Sequence, residues 1–254
     1  MPELFAALPA PVDPWISAVL VAVSLLTSFI TAAFGIGGGG ILLAVMASLV
    51  PIQALIPVHG LVQLGSNAGR VTMFRRDIFR PALPAVVLGS VAGCALGGVV
   101  VVELPAEAVQ IGIGGFVIWT VFARPPAWLR RLPVITGLIS SFLTMFFGAT
   151  GLFVAGFTKA LDLPRHAHVA THAALMTAQH TLKVIVFGLL GFAFADWWVL
   201  VLAMILSGLA GTWAGRHVLN RMNDHGFRLA LNAILVVLAL RLIWTGLQPF
   251  FAGG

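Results

Sequence analysis

Residues 24–79 return at 137–192 with a constant offset of 113 and no gap, so any fold open to this chain must accommodate one unit used twice. Ser28, Phe29, Thr31, Phe34, Gly35, Gly38, Pro51, His59 and Phe74 meet Ser141, Phe142, Thr144, Phe147, Gly148, Gly151, Pro164, His172 and Phe187. Arg70 meets Lys183. A copied break, histidine and cation point to a transport site shared by two halves rather than to a copied apolar pattern alone.

The solvent for this unit follows from charge. Soluble domains carry about 25% charged residues, whereas this chain has 9%, with 60% hydrophobic. Its apolar stretches are about 20 residues long, the helical length that crosses the hydrocarbon core, and strand-like alternation is absent. An all-α polytopic membrane protein is expected, with a first repeat at 1–127 and a second at 128–254 forming one integral membrane domain. Fourteen Lys and Arg against eight Asp and Glu do not indicate nucleic acid, because the cations sit mostly in short loops, where they orient membrane helices. The single cysteine, Cys94, lies in an apolar run and excludes an internal disulfide. Glu3, Asp13 and several prolines precede the first apolar run without a basic residue, which does not fit a cleavable signal peptide.

The pattern predicts helices at 15–34, 41–50, 52–74, 81–102 and 106–122, then at 134–147, 152–161, 167–187, 197–218 and 227–247. Gly35-Ile36-Gly37-Gly38-Gly39-Gly40 and Gly148-Ala149-Thr150-Gly151 interrupt the first two helices of each half inside the apolar region. Arg75, Arg76 and Arg80, then Arg124, Arg130 and Arg131, and later Arg216, Arg221 and Arg228, place three connections on the cytoplasmic side. The basic-free turns at Glu103–Pro105 and Gly191–Asp196 go outside. Between Arg131 and Asp196 an odd number of crossings is required, so 134–161 should enter, break and return. The same logic applied to 15–50 gives two re-entrant hairpins, each followed by three crossings, in inverted halves. Because 15–34 is long enough to span, a plain eight-span arrangement is the alternative.

Broken helices expose backbone N–H groups that lipid cannot satisfy, so a cavity is implied. Helix N-termini carry partial positive charge, which makes Gly37, Gly38, Gly39, Gly40, Gly148, Thr150 and Gly151 candidate anion contacts. The next helix of each half carries a polar stripe at i, i+4, i+7, i+8 and i+11, one helical face. It reads His59, Gln63, Ser66, Asn67 and Arg70, then His172, Met176, Gln179, His180 and Lys183. Such side chains are costly in hydrocarbon and should face the bundle interior. Ser28, Thr31, Ser141 and Thr144 could line the site or bond back to their own helices. Gly89, Gly93 and Gly97, spaced by four, read as helix-packing residues. Trp15, Trp119, Trp197, Trp198 and Trp244 read as an interfacial belt.

Other chemistry finds little support. Gly35–Gly40 fits the dinucleotide pattern but follows a membrane helix without the acidic ribose contact. His166, His168 and His172 lack an acidic or cysteine partner to complete a metal shell. No nucleophile–base–acid set suggests an enzyme. No cofactor is expected.

Three segments carry a resemblance: Phe34-Gly-Ile-Gly-Gly-Gly-Gly40, the run from His59 to Arg70, and the run from Ala170 to Lys183. They resemble the TauE/SafE sulfite exporter family of bacterial inner-membrane permeases, over nearly the whole chain. That resemblance implies two homologous halves and transport of sulfite or related sulfur-containing anions such as sulfoacetate or thiosulfate. The second break is less glycine-rich than the paired turns the family implies. Sulfite near neutral pH mixes mono- and dianion, so proton coupling through His59, His172 or His180 is chemically reasonable. The alternatives are an anion channel and a non-transporting scaffold.

Overall fold

In the computed structural model, residues 12–34, 37–101, 105–122, 131–148, 150–218 and 225–252 are described, and among them no strand occurs. Ten α-helices follow in order: α1 (Pro14–Phe34), α2 (Gly38–Leu49), α3 (Ile52–Met73), α4 (Leu83–Val101), α5 (Ala106–Phe122), α6 (Pro133–Phe147), α7 (Gly151–Ala160), α8 (Arg165–Leu189), α9 (Trp198–Val218) and α10 (His225–Ala252). Among the described residues, three segments are long and apolar enough to cross a membrane by length and composition: Pro14–Ala33, Arg80–Val101 and Phe194–His217.

The helices pair across the sequence by small residues. Gly89 and Gly93 of α4 lie against the Val134 and Leu138 carbonyls of α6, and Gly97 against Met145. Residue numbers rise together, so these helices run parallel. In α9, Gly211 and Gly215 lie against the Leu25 and Phe29 carbonyls of α1 in the same parallel sense. Backbones approach this closely only where no side chain intervenes, as expected for Gly89, Gly93 and Gly97.

Two other pairs are antiparallel. On α3 and α8, the His59 ring meets His180 while Phe74 meets His166. On α5 and α10, Gly114 lies against Ala239 and Ile243, and Gly246 against Ile111. Pro51 and Pro164, both at φ −52°, immediately precede α3 and α8; their fixed φ and missing N–H suit a helix start.

The distribution of polarity is inside out relative to a water-soluble protein. Leu189 and Val99 are 82% and 75% exposed, while Arg70 and Lys183 are 2% and 0% exposed. An apolar skin around a polar interior is what a hydrocarbon solvent selects. Trp15, Trp198 and Trp244 are exposed, as an interfacial belt requires, but Trp197 is buried. It ends a 3₁₀ turn, Phe194–Trp197, which turns its ring into the core beside Leu200 and Val201.

Candidate functional site

The first break is narrower than the run of glycines suggests. Gly38, Gly39 and Gly40 already form the first turn of α2, three residues earlier than the pattern predicts, and Gly37 makes the reversal at φ 113°. Gly35 and Ile36 lie outside the described residues. Gly148, at φ 67°, makes the second reversal, with Thr150 as the N-terminal cap residue of α7. Both glycines occupy backbone regions that residues with a Cβ rarely adopt.

Each short arm is tied to the following polar helix by a histidine. The Nε2 of His59 bonds the Gly39 carbonyl at 3.0 Å, and the Nε2 of His172 bonds the Gly151 carbonyl at 3.2 Å. A carbonyl can only accept, so Nε2 carries the proton in both rings. The histidines therefore fix the first turns of α2 and α7 against α3 and α8.

Around Arg70 the stripe forms a connected network. Nη1 donates to Asn67 Oδ1 at 2.9 Å and Nη2 to Ser66 Oγ at 3.3 Å. Ser66 shares a 3.2 Å hydroxyl contact with Ser28 of α1, while the Asn67 amide donates to the Gln63 carbonyl at 2.8 Å. Gln63, half-buried, approaches His59 at 3.5 Å.

Lys183 is held more loosely. Among the described residues its ammonium makes one hydrogen bond, to Thr144 Oγ1 at 3.5 Å, and Thr144 in turn donates to the Gly148 carbonyl at 3.2 Å. The Lys183 stem crosses to the other half: a Cβ on Gly60 of α3 would sit 2.6 Å from Lys183 Cε. Gln179 donates to Ser140, one residue before the copied Ser141. The ring opposite His180 is His59, at a centroid separation of 6.3 Å.

Among the described residues, several buried atoms in this seam have no protein partner: His59 Nδ1, His180 Nδ1, Arg70 Nε, Gln179 Oε1, Thr150 Oγ1 and Ser141 Oγ. Buried polar atoms are normally hydrogen-bonded, so such a cluster marks a place where another species is accommodated. Neither buried cation has a carboxylate partner among the described residues. The ten helices hold a single acidic side chain, Glu107, in the first turn of α5. Thr31 bonds back to the Thr27 carbonyl at 2.9 Å and so stays within its own helix.

Sequence reasoning missed two contributors. Gly60 is adjacent to His59 and carries no polar group, so only its contact with Lys183 reveals it. Arg165 donates from Nη2 to the Ala33 carbonyl at 3.2 Å, capping the end of α1 from the start of α8. That contact spans 132 positions and leaves no local signal.

An apolar-skinned helical protein with a buried, cationic polar seam between two broken helices belongs among membrane transport proteins. The family model described as Sulfite exporter TauE/SafE matches residues 20–242. The chain belongs to the TauE/SafE sulfite exporter family, as the motifs around Gly37–Gly40, His59–Arg70 and His172–Lys183 imply. No curated protein and no solved structure matches it.

Proposed function

We propose that this chain is a secondary transporter, a multi-pass permease of the bacterial inner membrane that moves sulfite or a related small sulfur-containing anion. The observation that carries this reading is the burial of Arg70 and Lys183 among helices without a compensating carboxylate. A buried, unpaired charge costs several kcal/mol. A small oxyanion offsets that cost at each cation in turn, supplying acceptors for Lys183 beside Gly60 or for Arg70 Nε ten residues further along α3. The polar lining we assign to the path is Arg70, Asn67, Ser66, Gln63 and His59 from the first half, with Lys183, His180, Gln179 and His172 from the second. The turns at Gly37–Gly40 and Gly148–Gly151 add backbone donors at helix N-termini, beside the unpartnered Thr150 hydroxyl.

Inverted repeats at 1–127 and 128–254 fit the helix directions. Helices α3 and α8 occupy copied positions and pack antiparallel, and α5 and α10, the last helix of each half, also pack antiparallel; both pairs support an operation between the halves that reverses direction. Helices α2 and α7 have 12 and 10 residues. At 1.5 Å per residue they reach about 18 and 15 Å, well short of about 30 Å of hydrocarbon. This supports hairpins that turn back within the membrane.

Alternating access is favoured over an open pore because the unpartnered atoms of His59, His180, Arg70 and Gln179 are shielded from solvent. A permanently conducting path would leave its lining wet. His59, His172 and His180 provide groups through which a proton could be coupled.

Flux of sulfite, sulfoacetate, thiosulfate and sulfate into proteoliposomes tests the proposal. Saturable uptake of at least one sulfur anion, slowed by Asn67→Ala and His180→Ala, is expected. Movement of none of them overturns the substrate class; ohmic conductance replaces the carrier with a channel; wild-type flux in both variants moves the site elsewhere.

A further inference from the structure

One end of the bundle gathers exposed cations: Arg75, Arg76 and Arg80 between α3 and α4, Arg131 before α6, Lys159 at the end of α7 and Arg165 at the start of α8. At this end a groove of about 1000 Å³ opens between the starts of α4 and α6 and the end of α7. Its walls are apolar, formed chiefly by Phe79, Ala85, Leu132, Phe157 and Leu161, and its one charged lining residue is Arg131. Phe79 and Leu132 are 39% and 41% exposed there. The groove is thus a hydrocarbon-lined trough with a cation at its rim.

Two further features add positive potential. Helices α4 and α6 run parallel, so both direct their N-termini toward this groove, and helix N-termini favour negative charge. Arg80 and Lys159 flank the lining in sequence and are exposed. A small hydrophilic anion would find no partners on the apolar walls, and a neutral lipid would leave these six cations offset, among the described residues, only by the exposed Asp77 and Asp162. A basic pocket between membrane helices, at the headgroup level where cations collect, suits an anionic headgroup joined to hydrocarbon.

We propose that this groove binds an anionic phospholipid, with its phosphate on Arg131 and the N-terminal ends of α4 and α6, and an acyl chain along Phe79, Leu132 and Phe157. The site is separate from the buried seam around Arg70 and Lys183 and does not depend on the transported anion.

The test is lipid retention by the full-length, detergent-purified protein, followed by native mass spectrometry with phosphatidylglycerol and phosphatidylcholine of matched chains. Wild type is expected to retain phosphatidylglycerol at about fivefold lower lipid concentration, the factor expected for one interfacial cation. Arg131→Gln, at an exposed position, should reduce the preference while leaving the thermal transition in place. Ala85→Trp, which fills the trough, should reduce retention of both lipids. Equal retention of the two lipids by wild type, or an unchanged preference in Arg131→Gln, overturns the proposal. So does competition by glycerol 1-phosphate, a headgroup without chains, as effective as that by phosphatidylglycerol.

Discussion

Arg70 and Lys183 stand at copied positions of α3 and α8, yet their surroundings differ. Arg70 is braced within its own half by Asn67 and Ser66, and through Ser66 by Ser28. Lys183 has one long contact, and its stem lies against Gly60 of the other half. The planar guanidinium with several fixed donors suits a braced position, whereas an ammonium on a flexible stem suits one that rearranges. The copied position thus carries a braced cation in one half and a loosely held one in the other.

The sharpest way to break this comparison is to remove each cation. Lys183→Ala is expected to lower sulfite flux about thirtyfold, corresponding to about 2 kcal/mol for a charge-assisted contact. Folding should be less affected than in Arg70→Ala, because Lys183 holds only Thr144, by a long 3.5 Å contact. Arg70→Ala should lower flux comparably and also lower the thermal midpoint, because Asn67 and Ser66 lose a partner. Equal thermal midpoints for the two variants would erase the distinction.

Next in size are the glycines. Gly93→Ala should destabilise the protein by about 2 kcal/mol in thermal or denaturant unfolding, since the Leu138 carbonyl of α6 stands where its Cβ must go. Gly60→Ala meets the flexible end of Lys183 instead. It should therefore spare stability and reduce flux about tenfold by moving the ammonium, roughly 1.4 kcal/mol. A loss of stability without a loss of flux in Gly60→Ala would show that the Lys183 slot is mere packing.

The smallest effect is expected at the cap. Arg165→Ala removes one donor from the end of α1 and should cost about 1 kcal/mol, measured by hydrogen exchange at residues 30–34.

Much of this fold was legible because helices in lipid must satisfy their own backbone, so apolar length and glycine breaks mark them directly. The bounds of α1 and of α3 through α9 fall within two residues of expectation. The largest early displacement is in α2, which begins at Gly38 rather than Ile41 because tertiary contacts, including His59 on the Gly39 carbonyl, hold glycines that have weak helix propensity of their own. The polar stripe was equally readable: its periodicity placed His59, Ser66, Asn67, Arg70, His172, Gln179, His180 and Lys183 together in the interior.

Partner choice across helices was not legible. Constant offset points from Ser28 and Ser66 to Ser141 and Gln179, but the longer glutamine side chain reaches Ser140 and leaves Ser141 Oγ unpartnered. A substitution of length, not of polarity, shifts the contact by one residue. Gly60 escaped for the complementary reason: its role is the absence of a side chain opposite Lys183.

The central claim is that an anion compensates the buried cation of the second half. Thermal unfolding of wild type and Lys183→Met, each with and without sulfite, tests it directly. The account predicts that sulfite raises the wild-type midpoint, that Lys183→Met is at least as stable as anion-free wild type because a buried unpaired charge has been removed, and that sulfite no longer shifts it. A less stable Lys183→Met that retains the full sulfite-induced shift would contradict the account.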